Sequence, residues 1–151
     1  MERLLNGKRN PADAVIALTD VYPDYVDAAD AKTKMKKWVG EEDRFYVHTA
    51  LHDFEAWLLP YWTKIKQLTG SNRKSPGNDP EKVNHNNSPA YRLIEVYRTG
   101  LKTKSYVKVR DVGRILRGVD LMVAINACSE LKAFINRILE LCGVDDEDLI
   151  P

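Results

Sequence analysis

Cysteine is nearly missing from this chain: Cys128 and Cys142 are the only two. Two thiols build no disulfide framework, and these two make no metal-type pair. Both fall in apolar helical runs, which predicts reduced, buried side chains. Excess charge of either sign is missing too. Lys and Arg number 23 against 22 Asp and Glu, a formal +1. Bulk charge therefore selects neither a nucleic acid nor a membrane surface, and any preference must come from local patches. No apolar run approaches the ~18 residues that cross a bilayer. The opening segment, Met1 to Asn10, has no apolar core of the signal-peptide kind. Repeats and low-complexity tracts are absent. These absences predict a cytoplasmic protein, bacterial in style, with no membrane partner.

What is present is a globular composition, 44% hydrophobic and 30% charged over 151 residues. That suits a single domain with its own core. Its densest chemistry lies between His48 and Pro60, where two histidines, two carboxylates and two aromatics share thirteen positions. Phe45, Tyr46 and Val47 lead in as a buried strand, and Phe54, Trp57, Leu58 and Tyr61 follow at helical spacing. The polar cluster thus stands where a strand hands over to a helix, the place where open α/β sheets gather ligands.

The chain around it alternates. Ala14 to Thr19 is a continuous apolar run, as in a strand buried on both faces, and Asp20 follows at once. Residues 26–39 read as a helix closed by Gly40, whose lysines make a solvated face. Residues 44–50 form the second strand. Strand, helix, strand predicts parallel pairing through a right-handed crossover. Pro60 predicts a break in the following helix, which resumes to Gly70. Residues 71–90 read as a long loop with a short turn at Pro80-Glu81. Ser88 caps and Pro89 starts a helix ending at Gly100. Residues 107–118 predict an amphipathic helix with Val112, Ile115, Leu116 and Val119 on one face and Arg110, Arg114 and Arg117 on the other. Asp120 caps a helix through Cys128. Ser129 caps the last one, ended by Gly143, and the acidic tail 145–148 frays. The expected fold is α/β, with an α/β core over 13–70, the loop, and an all-helical part over 91–143.

Three site readings follow from the residues. Asp20, Asp53 and Glu55 offer oxygen ligands near strand ends for Mg²⁺ or Mn²⁺, with His52 to shuttle a proton. His48 and His52, four apart, would align on a helix for zinc with Glu55. Against this, Thr49 stands where the metalloprotease pattern needs glutamate. The bland alternative is that the aromatics are core, one histidine is filler, His85 is solvated, and Asp20 is a turn or capping residue. Lys102, Lys104 and Lys108 with the three arginines could neutralise phosphates, and Tyr106 could stack on a base, or all could be ordinary surface.

Several blocks together resemble the bacterial RloB-like, Toprim-related proteins. Thr19-Asp20-Val21-Tyr22-Pro23 is similar to their Asp-x-Tyr block. His52-Asp53-Phe54-Glu55-Ala56-Trp57-Leu58 is similar to their His-Glu-Phe-Glu-Ala block, with Asp53 for the first Glu. Pro80-Glu81-Lys82-Val83-Asn84, Ser88 to Arg92, Tyr106-Val107-Lys108, Cys128 and Phe134 follow in family order. The resemblance implies a short parallel Toprim-like sheet and metal-dependent nuclease chemistry on nucleic acid, in phage defence or a mobile element. Asp20 and Glu55 would be the metal carboxylates, His52 and Asp53 would stand beside them, and Lys108 would contact phosphate. The relatives begin with another strand ending in Glu-Gly, which Glu2 does not match. That difference implies an exposed sheet edge. It also opens a second expectation, a non-catalytic interaction module with a protein partner from the same operon.

Overall fold

The computed structural model describes residues 5, 11–40, 42–83, 87–102 and 105–151. Glu2, Asn84, His85 and Lys104, singled out above, lie outside the described residues. Strands β1 (Val15–Asp20) and β2 (Phe45–Ala50) pair in parallel, Val15 opposite Phe45 through Asp20 opposite Ala50. Helix α1 (Ala28–Val39) is the crossover; Asp27 caps it through the Asp30 amide at 2.8 Å. A long 3-10 helix (Phe54–Tyr61) runs into α2 (Trp62–Thr69). A short turn (Pro80–Lys82) leads to α3 (Pro89–Thr99), α4 (Lys108–Leu116), α5 (Met122–Ala127) and α6 (Ser129–Leu141). The fold is therefore mixed α/β, with a two-stranded parallel sheet, flanking helices and a helical C-terminal half.

β2 is the buried strand: Phe45, Val47, His48, Thr49 and Ala50 are all inside. β1 differs from the expectation of a strand covered on both faces. Its residues are half-buried and Leu18 is 43% exposed. Both strands pair on one side only among the described residues, and the difference comes from the helices, since α1 and α6 pack chiefly against β2. Tyr46, His48 and Ala50 share one face by strand alternation. They meet α6, where Arg137 lies over the Tyr46 ring and Phe134 packs edge-on against His48.

Pro60 offers no amide and disfavours α geometry at the residue before it. The segment accordingly winds as a 3-10 helix, and α geometry starts only at Trp62. Eight residues is long for this form, which usually stops after 3–4. Burial holds it: Trp57, Leu58, Leu59 and Tyr61 are inside, and most of them join Ile65, Leu93, Tyr97 and Ile115 in the main core. Each such side chain contributes about 1.5–3 kcal/mol. Gly100 lets α2 and the end of α3 touch. A methyl group there would come within 2.4 Å of the Thr69 carbonyl oxygen.

Four further expectations are corrected. Helix α4 is shorter than 107–118 because Arg117 is already extended (φ −65, ψ 115). Ser129 lies inside α6 instead of capping it; buried Glu81 accepts from the Ser129 amide (2.7 Å), its hydroxyl (2.8 Å) and the Glu130 amide (3.1 Å). The tail does not fray: Ile150 and Asn136 exchange two hydrogen bonds of 3.0 Å, and Lys132 reaches the Pro151 carbonyl. Cys142 is exposed at the last turn of α6, whereas Cys128 is buried. Burial, with Glu81 and Asp79 nearby, pushes the Cys128 thiol up to about 12.

Candidate active site

The two strand ends are stitched together just past the sheet. The Val21 amide donates to Ala50 at 3.1 Å, and the Tyr22 amide to His52 at 2.7 Å. His52 turns the chain there with φ 67, a left-handed conformation that costs a residue with a Cβ on the order of 1 kcal/mol. The turn delivers Asp53, Phe54 and Glu55 to the carboxyl-terminal rim of the sheet, beside Asp20.

Each acid then finds its own partner. Asp20, half-buried, accepts from the Phe54 amide at 2.9 Å and so caps the 3-10 helix. Asp53 accepts from the Ala90 amide at 3.1 and 3.3 Å and is bonded by the Ser88 hydroxyl. It thereby supplies a carboxylate to the N-terminus of α3, where such charge is favoured. Glu55, 2% exposed, accepts from the Tyr106 hydroxyl through Oε1 at 3.2 Å. Its Oε2 makes no hydrogen bond and faces the Lys108 ammonium at 3.3 Å. That ammonium also lies 4.5 Å over the Phe54 ring, on a half-exposed side chain.

The three acids share one electrostatic neighbourhood. Burial raises Asp53 to about 6, outweighing the Ser88 and Ala90 hydrogen bonds that lower it, and the charges of Glu55 and Asp20 push in the same direction. Tyr106 is raised as well, by burial and then by Glu55. A phenol so placed stays a proton donor to Glu55.

The remaining candidates fall elsewhere. His48 is inside β2 against Phe134, and burial followed by the Lys32 charge lowers its pKa. His48 is in a strand and His52 in a turn, so the helical alignment that a zinc set needs does not form. Among the described residues no group of three or more His, Cys, Asp and Glu is placed to hold a metal ion. The expected trio of Asp20, Asp53 and Glu55 is thus a neighbourhood whose middle member is turned towards α3. On the basic face of α4, two of the three arginines share one carboxylate. Arg110 grips fully buried Asp111 at 2.7 and 2.9 Å, and Arg114 reaches it at 3.3 Å. Arg117 is exposed, and Lys102 bonds the Gln67 carbonyl.

Sequence reasoning missed two supports of the rim. Tyr106 is the partner of Glu55 rather than a stacking ring, and Ser88 holds Asp53 besides capping α3 at Tyr91 (3.3 Å). The only local signal was Tyr106 standing two residues before Lys108.

No curated protein and no solved structure matches the chain. One family model, described as a domain of unknown function (DUF4276), matches residues 1–139, and the chain belongs to that family.

Proposed function

We propose that this domain is a Toprim-related, RloB-like nuclease that processes phosphodiester bonds of nucleic acid with Mg²⁺ or Mn²⁺, in phage defence or a mobile element. One observation carries the reading: acids from just past the ends of both parallel strands share one rim, and among the described residues the buried Oε2 of Glu55 is answered by a half-exposed ammonium alone. The donor set fits a hard ion, being all oxygen. Asp53 is occupied by Ala90 and Ser88, so Asp20 and Glu55 would hold the ion, and one or two carboxylates are what Mg²⁺ commonly takes. The ion would supply Lewis-acid polarisation of a phosphodiester.

The chain's own residues supply the rest. Tyr106 fixes the Glu55 carboxyl through Oε1 and leaves Oε2 free of hydrogen bonds. Asp53, titrating near 6, exchanges a proton close to neutrality, with His52 adjacent in the chain. Lys108 brings a positive charge to the mouth of the site for a phosphate. The test is cleavage of DNA and RNA with Mg²⁺ or Mn²⁺ by wild type, Asp20→Ala and Glu55→Ala. Cleavage by wild type alone is expected; equal activity in all three rejects the assignment.

A second reading, a non-catalytic module bound to a protein from the same operon, is favoured by the Asp20 bond to the Phe54 amide and by the 2% exposure of Glu55. Calorimetry with Mn²⁺ separates the two, since the module takes up no ion.

A further inference from the structure

Next to the rim, on the same first turn of α3, lies a small cavity of 130 Å³. Its walls include Trp62, Arg73, Lys74, Asn87, Tyr91 and Arg92. That volume is close to the ~150 Å³ that admits a benzene-sized ring. The Trp62 indole is 7% exposed and fixed, its Nε1 donating to the Arg73 carbonyl at 3.0 Å. Tyr91 stands at the mouth with 47% of its surface exposed. Three cations, Arg73, Lys74 and Arg92, line the cavity with these rings, and so does one acid, Glu95, which is hydrogen-bonded by Tyr91. Arg73 is paired with Glu95 at 2.8 Å, and Arg92 is held by the Asn87 carbonyl at 3.0 Å. Arg98 also pairs with Glu95, at 2.9 Å. Among the described residues lining the cavity, Arg73, Lys74 and Arg92 thus meet one carboxylate, and the cavity keeps a positive excess.

We propose that this cavity is a subsite for single-stranded nucleic acid, in which one base stacks on Tyr91 while Lys74 and Arg92 neutralise the flanking phosphates. A positively charged groove with an exposed ring is what unpaired strands bind, because every base offers a π face. A duplex keeps its bases stacked internally and cannot use the ring. An acidic protein would need the cations but not Tyr91. The position follows from the fold: Asn87 precedes Ser88, whose hydroxyl is on Asp53, and Tyr91 follows Ala90, whose amide is on Asp53. A strand seated on Tyr91 would be led along α3 to the carboxylate rim. The inference rests on the nuclease reading for its purpose but not for its test.

The test is fluorescence anisotropy of a labelled single-stranded oligonucleotide with EDTA present, so that no ion-dependent step contributes. Wild type should bind, and bind the matching duplex more weakly. Tyr91→Ala should weaken binding about tenfold and Tyr91→Phe should restore it. Lys74→Glu combined with Arg92→Glu should weaken it more and flatten its salt dependence. Unchanged circular dichroism melting would show that the variants fold; Arg73 is left alone because it also holds Glu95. No binding by wild type, or binding indifferent to Tyr91 and equalled by polyglutamate, overturns the proposal. Binding in EDTA without cleavage in Mn²⁺ would leave this subsite standing and remove the nuclease reading. Cleavage with Tyr91-independent binding would do the reverse.

Discussion

Asp111 in α4 and Asp53 at the sheet rim are both buried aspartates, at 0% and 6% exposure, and the fold treats them in opposite ways. Burial pushes Asp111 upward, but Arg110, the Val107 amide (2.8 Å) and Arg114 outweigh it, so its carboxyl is held below the ordinary range. Among the described residues Asp53 has the Ser88 and Ala90 hydrogen bonds and no cation among its partners, with two acids beside it, and it is raised to about 6. Desolvation alone therefore does not separate the lowered acid from the raised one. What separates them is whether the neighbours complete the charge. In α4 they do, and the cluster is closed. At the rim they do not, and that imbalance is the reason the rim is proposed as the site.

The comparison can be broken at four points. The largest effect is expected for Asp111→Ala, which strands two guanidinium groups and the Val107 amide. Both arginines are partly exposed and can rehydrate, so the loss should be about 2–3 kcal/mol in urea unfolding at pH 7. A loss under 0.5 kcal/mol would contradict a closed cluster. Asp53→Asn comes next, and its signature is in pH. A carboxyl raised from 3.8 to about 6 on folding makes the native state bind the extra proton, so stability falls as pH rises through that window. The asparagine variant should lose this fall and gain about 2 kcal/mol at pH 7 relative to wild type. Asp111 has the opposite sign: its contribution is present above the ordinary carboxylate range and is lost as pH drops through its lowered value. Tyr106→Phe removes one hydrogen bond to a buried carboxylate and should cost about 1–2 kcal/mol by thermal unfolding. Lys108→Met should cost least, under about 1 kcal/mol, since its ammonium is half-exposed. A loss comparable to that of Asp111→Ala would make Lys108 a structural counter-ion and the rim as closed as α4.

Much of the fold was legible because its signals are local. Ser88 and Pro89 start α3 by their own chemistry, Gly70 ends α2 with φ 70, and the apolar run before His48 is β2. The gathering of Asp20 with Asp53 and Glu55 was readable too, since parallel strands bring their carboxyl ends to one rim. Long-range partners were not readable. Nothing in the stretch around Asp53 announces Ala90, 37 residues on, and nothing in the loop announces that Glu81 will cap α6, 48 residues on. The burial of β1 depended on which strand the helices would cover, and α1 and α6 pack chiefly against β2. The arginines of α4 carry a more local signal. Asp111 is adjacent to Arg110 and one turn before Arg114, so the helix face itself held the answer.

The bond from Glu81 to the start of α6 makes the long loop a latch. Glu130, whose amide Glu81 holds, also takes the Lys32 ammonium at 2.7 Å and the Thr49 hydroxyl at 3.0 Å. Loop, last helix, crossover helix and β2 thus converge on two neighbouring glutamates. A backbone nick in the exposed part of the loop, near Gly77, would leave the two fragments joined through Glu130 on the later piece, held by Lys32 and Thr49 on the earlier one. Loosening Glu81 instead would let the α6 terminus lift from the sheet, and deuterium uptake at the Ser129 and Glu130 amides would register it first.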